Sequence, residues 1–75
     1  MKKTPELIAA LRPFWQELQK TQKENRWKVA YIEARMREAT GIEDLEFFEA
    51  DGDFVGIGNC SRILPLIHDT ELEEK

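Results

Sequence analysis

The sequence predicts an α+β fold: a short N-terminal helix, a long amphipathic helix or helical hairpin, then an antiparallel β-hairpin with room for a third, edge strand. Three observations predict it. A helical apolar stripe runs through Ile8, Leu11, Trp15, Leu18, Val29, Ile32 and Met36, with polar Gln22 and Asn25 at its centre. After Gly41 the spacing of large apolar residues changes from the helical period to alternation. Asp51-Gly52 then separates two such alternating runs, the usual signal of a two-residue hairpin turn.

Each element follows from local chemistry. Thr4-Pro5-Glu6 reads as a helix start, with Thr4 as the cap and Pro5 at the first helical position. Pro13 lacks the N–H that would bond back to Ala9 and disfavours helical geometry at Arg12, which predicts a break after a short helix over 5–12. From Pro13 to Thr40 there is no further Gly or Pro, and Gly41 suits a left-handed cap. An unbroken helix there would be about 40 Å long. The rival is a turn at 21–26, giving two helices. The apolar faces before and after the polar run coincide within a sector about 120° wide, which favours one helix.

The second half of this segment has another apolar face. Trp27, Ala30, Tyr31 and Ala34 lie roughly opposite Val29, Ile32 and Met36, so a second cover is expected from the N-terminal segment or from another subunit. In the hairpin, pairing Ala50 with Asp53 sets Glu49 opposite Phe54, Phe48 opposite Val55, Phe47 opposite Gly56 and Glu46 opposite Ile57. That register splits the apolar groups between two faces, and it leaves space at Gly56 and Gly58 beside Phe47 and Leu45. Residues 62–67 are apolar enough for a third strand that Pro65 confines to an edge, and 69–75 read as a flexible acidic tail.

Length and composition bound the function. Seventy-five residues make a single small domain with a radius of gyration of about 11 Å, burying only about 60% of the unfolded surface. One cysteine, Cys60, excludes an internal disulfide, and with one histidine, His68, a Cys/His zinc site within one chain is implausible. Oligomerisation is the default reinforcement for so small a core, with a well-packed monomer the competing case. Met1-Lys2-Lys3 resembles a signal n-region, but the apolar run behind it stops at Arg12-Pro13. No stretch approaches a membrane span, so the reading is a cytoplasmic protein with no membrane association. The net charge is −4. Residues 1–40 hold nine Lys/Arg against five Glu, and residues 41–75 hold two against ten acids. Such a chain can pair head to tail with a copy of itself, or offer a basic face to one protein partner and an acidic face to another.

No motif carries strong chemistry. The run 56–61, Gly-Ile-Gly-Asn-Cys-Ser, lacks the following helix that a nucleotide fingerprint needs, and reads instead as a strand ending in a loop with a buried free cysteine. Cys60, His68 and Asp69 have the residue types of a thiol hydrolase but little room for a cleft, leaving thiol chemistry at Cys60 remote. The acids at 43, 44, 46, 49, 51 and 53 lack the ligand spacing of a calcium loop, so no metal or other cofactor is implied. Lys20, Lys23, Arg26, Lys28, Arg35 and Arg37 make 20–37 a basic helix interleaved with Trp27 and Tyr31, but Glu24 and Glu33 sit four residues before Lys28 and Arg37, as on a solvated face. Gln22 and Asn25 could set register within a seam. The sequence therefore points to a non-enzymatic interaction module acting as a homo-oligomer, most simply a dimer. Phe14, Trp15, Leu18, Gln22, Asn25, Trp27 and Tyr31 are its contact candidates. The alternative is a nucleic-acid-associated regulator using the basic helix.

Overall fold

The computed structural model describes residues 2–61 and 64–73. Its elements are α1 (Pro5–Gln19), α2 (Arg26–Thr40), β1 (Leu45–Ala50), β2 (Asp53–Asn59), β3 (Ile67–His68) and α3 (Asp69–Leu72). The fold is α+β, with two helices followed by an antiparallel sheet in the order β1-β2-β3.

The helical region departs from the sequence reading twice. First, α1 passes through Pro13 without a break. Pro13 and Ala9 both face solvent, so water can satisfy the Ala9 carbonyl while Leu11, Trp15 and Leu18 hold the opposite face on the core. Thr4 caps this helix as expected, its hydroxyl accepting from the Leu7 N–H at 3.1 Å. Second, the single long helix does not form, and the alternative helical hairpin does. The Lys20 and Thr21 N–H groups bond back to Glu17 and Leu18, closing α1 in a tight last turn. Asn25 then starts α2, its side-chain oxygen accepting from the Lys28 N–H at 3.2 Å. The stripe keeps its phase across 20–25 because both helices turn their apolar sides to one core, not because they share an axis.

The Asp51-Gly52 turn has positive φ at both residues, 53° and 84°, as a type I′ turn requires. Ala50 pairs with Asp53 and Glu49 with Phe54, as the sequence predicts. Beyond that the register shifts: Phe48 pairs with Gly56 and Phe47 with Ile57, leaving Val55 as the extra residue of a bulge. The bulge corrects the two-faced hairpin. It brings Ile57 to the side of Leu45 and Phe47, so all three are buried together, and Phe54 meets Phe47 edge-on at 6.0 Å.

Gly56 and Gly58 consequently do not open space beside Phe47 and Leu45. The chain at 65–68 and the Phe48 ring cover them instead. A Cβ on Gly56 would collide with the Ile67 carbonyl and lie 2.8 Å from Pro65 Cβ, and one on Gly58 would lie 2.9 Å from the Phe48 ring. A third strand forms at Ile67 and His68, which among the described residues pair with Ile57 and Gly56. Arg62 and Ile63 lie outside the described residues. The next segment corrects the tail. Residues Asp69–Leu72 form a helical turn, closed by Glu71 accepting from the His68 N–H at 2.9 Å, and Leu72 is buried in the core. Residues 74 and 75 lie outside the described residues.

One core results: Leu11, Trp15 and Leu18 from α1, Val29, Ile32 and Met36 from α2, Leu45, Phe47, Ile57 and Ile67 from the sheet, and Leu72. The radius of gyration is 11.2 Å. The free edge of β1 is covered by α2 side chains. Glu33 accepts from the Phe47 N–H at 2.9 Å, and Arg37 donates to the Leu45 carbonyl at 2.6 Å, which occupies groups that would otherwise invite another strand.

Candidate interaction surface

The contact candidates fall into three groups. Trp15 and Leu18 are each 1% exposed and belong to the chain's own core, not to its outer surface. The sequence could not show this, because a long helix and a hairpin predict the same stripe with different owners. Gln22 and Asn25 lie in the connection between the helices, Gln22 through its carbonyl to the Asn25 N–H and Asn25 as the cap. They set a turn, not a seam.

The third group, Phe14, Trp27 and Tyr31, forms one surface. Trp27 is 73% exposed and Tyr31 47%. Their rings stack with centroids 5.8 Å apart and planes 2° from parallel. The Arg35 guanidinium follows, 5.7 Å from the Tyr31 ring centre and 5.8 Å from that of half-buried Phe14. Lys28 stands 5.4 Å from the Tyr31 centre. Arg35 is absent from the contact candidates, although its place four residues after Tyr31 was a usable signal. Glu17 anchors the cations, accepting from Arg35 at 3.0 and 3.1 Å and lying 3.8 Å from Lys28. Beside this ladder is a depression of about 290 Å³ lined by Phe14, Tyr31, Arg35, Glu38 and Ala39. α1 packs Leu11, Trp15 and Leu18 into the same core as Val29, Ile32 and Met36 of α2, and its Phe14 and Glu17 reach the Arg35 side of that helix. Trp27, Ala30, Tyr31 and Ala34 stay exposed, so the second apolar face of α2 lacks a cover among the described residues.

The remaining candidates separate. Cys60 is exposed rather than buried. Its sulfur lies 3.2 Å from the Asp44 carbonyl and 3.5 Å from a Glu46 oxygen. Partial desolvation and the Glu46 contact hold the thiol above its ordinary pKa, the opposite of nucleophile activation. His68 pairs with Gly56 on the sheet. Cys60 is four residues further along, about 13 Å away at strand spacing, so the thiol has no imidazole at hand. Among the described residues no three His, Cys, Asp or Glu side chains converge as metal ligands. In the acidic run, Glu49 takes Arg26 at 2.8 and 3.0 Å and Asp53 takes Lys23. A larger cavity of about 450 Å³ is walled by Trp15, Leu18, Phe54 and Val55, with Asp69 and Glu73 at its rim. Its lining also holds Lys23, further carboxylates and the Thr21 hydroxyl, which donates to the Glu17 carbonyl at 2.9 Å.

No helix of the described residues is long and apolar enough to cross a membrane. No protein-family model, curated protein or solved structure gives a significant match to the chain.

Proposed function

We propose that the protein is a non-enzymatic interaction module that acts as a homodimer through the outward face of α2. The observation that supports this reading is Trp27, 73% exposed yet stacked flat on Tyr31. Trp27 and Tyr31 are contiguous with exposed Ala30 and Ala34, contiguous exposed apolar surface marks interaction sites, and Trp, Tyr and Arg are enriched in binding hot spots. The stack and the Glu17-anchored Arg35 also restrict the side chains before any partner arrives, which lowers the entropy lost on binding. Sedimentation equilibrium of the full chain tests the reading. A mass that rises from one chain to two with concentration is expected, and a single-chain mass up to about 1 mM refutes it.

A flat, exposed indole beside cations also favours base stacking, so nucleic-acid binding through residues 20–37 is the second reading. Its weakness is that Lys23, Arg26, Lys28 and Arg35 already have carboxylate partners. Binding to generic single-stranded DNA or RNA that falls steeply with salt would support it. Absence of binding at low salt would end it.

A further inference from the structure

Resting on the dimer reading above, we infer that the second copy lies antiparallel on α2, with Trp27 of each chain seated in the other's depression at Phe14, Tyr31, Arg35, Glu38 and Ala39. The outward positions of α2 are Trp27, Tyr31, Ala34 and Glu38, with Ala30 beside them. Their spacing of four, three and four is that of a two-helix seam. A two-fold axis crossing α2 between residues 32 and 33 sets Trp27 beside the partner's Glu38 and Ala39, and Tyr31 beside the partner's Ala34. Both contacts occur twice, as an isologous interface requires. Large therefore meets small at the centre.

At each end the most exposed aromatic meets the 290 Å³ depression. One surface carries both the projection and the hole, whose α2 lining runs from about 6 to 18 Å along the helix from Trp27, and in a closed two-fold dimer the antiparallel arrangement joins them twice.

Charge selects the same orientation. Glu38 is exposed and has no ion pair among the described residues. Antiparallel packing brings it to the partner's Trp27 indole N–H and close to the partner's Lys28. Parallel packing would set Glu38 against the partner's Glu38 and Lys28 against the partner's Lys28. Lys28 and the partner's Arg35 do share a flank in the antiparallel pair, where Glu17 on each chain offsets half of that positive charge.

The experiment uses the full chain. Sedimentation should show a wild-type dimer, and Trp27→Ala should weaken it roughly a thousandfold, since two hot-spot aromatics are lost at once. Ala39→Arg, which fills the depression and leaves the tryptophan in place, should weaken it in the same direction. Circular dichroism should show both variants folded, because both positions are exposed. Orientation is read by oxidation in a Cys60→Ser background. Ala34→Cys should form a covalent dimer. Glu38→Cys should not, because antiparallel helices hold the two residues about 16 Å apart along the axis. A wild-type dimer that tolerates both Trp27→Ala and Ala39→Arg, or that cross-links through Glu38→Cys, overturns this interface and leaves the dimer reading standing. A wild-type monomer removes both.

Discussion

Replacing Leu72 with alanine tests whether the C-terminal segment is part of the core. Leu72 is 1% exposed and sits in one cluster with Leu11, Trp15 and Ile67. The substitution removes three aliphatic carbons, about 2.4 kcal/mol at ~0.8 kcal/mol each. The cavity left behind raises the total to about 3–4 kcal/mol. A chain of this length has a total stability of roughly 4–11 kcal/mol, so the loss is a large fraction of it. In temperature, each kcal/mol shifts the midpoint by about 4–8 °C in domains of this size, which gives a fall of at least about 12 °C. Thermal and urea unfolding followed by circular dichroism measure it, with exposed Glu73→Ala as the control expected within about 0.5 kcal/mol. A Leu72→Ala variant that unfolds with wild-type midpoints would show that the helical turn does not dock and that the sequence-based tail was right.

Gly56→Ala should destabilise the fold by about 1–3 kcal/mol or more, because the new Cβ meets the Ile67 carbonyl and Pro65 and cannot be absorbed by a flexible side chain. An unchanged urea midpoint would mean that 65–68 does not lie over β2. Glu71 has a lowered pKa in the folded state, from its bond to Lys3 and then from the His68 N–H. Its stabilising contribution is therefore complete above the ordinary carboxylate value of 4.5 and is lost as pH falls through the lower folded value. Glu71→Gln should flatten the acid limb of stability against pH, and an identical limb in both proteins contradicts the pairing. Cys60, with its thiol pKa raised by partial desolvation and by Glu46, should react with iodoacetamide more slowly than a free cysteine at neutral pH, and Glu46→Gln should speed the reaction. Faster alkylation of wild type than of free cysteine would restore the case for thiol chemistry.

Signals that act locally were readable in the sequence. The Thr4-Pro5 start, the Gly41 cap and the Asp51-Gly52 turn each depend on a few adjacent residues, and each forms where expected. The features that escaped depend on distant parts of the chain. Pro13 is tolerated because Leu11, Trp15 and Leu18 are pinned by a sheet that begins at Leu45. The bulge at Val55 arises because the core needs Ile57 beside Phe47, and strand alternation carries no record of that demand. Asn25 was visible as a polar interruption, but a register-setting seam residue and an N-cap look alike until the helix direction is known. The same ambiguity hid Trp15 and Leu18 among the contact candidates. Trp27 and Tyr31 were legible as a second face because their position opposite Val29, Ile32 and Met36 needs only helix geometry.

The charge asymmetry has the most consequence for function. A basic first half and an acidic second half suggest head-to-tail pairing of two chains. Within one chain, however, Lys3 meets Glu71, Lys23 meets Asp53 and Arg26 meets Glu49. Exposed pairs of this kind stabilise a fold only weakly, but they divert three of the nine cations of residues 1–40 and three of the ten acids of residues 41–75 from an intermolecular pairing by charge. What the fold presents on the outward face of α2 is the Trp27–Tyr31 stack with Ala30 and Ala34, flanked by Lys28 and Arg35 held on Glu17 and with Glu38 at its end. The two modes of association respond differently to salt. Exposed charges are screened within about 10 Å at 0.1 M ionic strength, whereas burial of Trp27 and Tyr31 does not depend on screening. A dimer built on α2 should keep its dissociation constant within about threefold between roughly 50 mM and 500 mM salt. A constant that rises tenfold or more over that range would return the interface to the charged halves and away from Trp27.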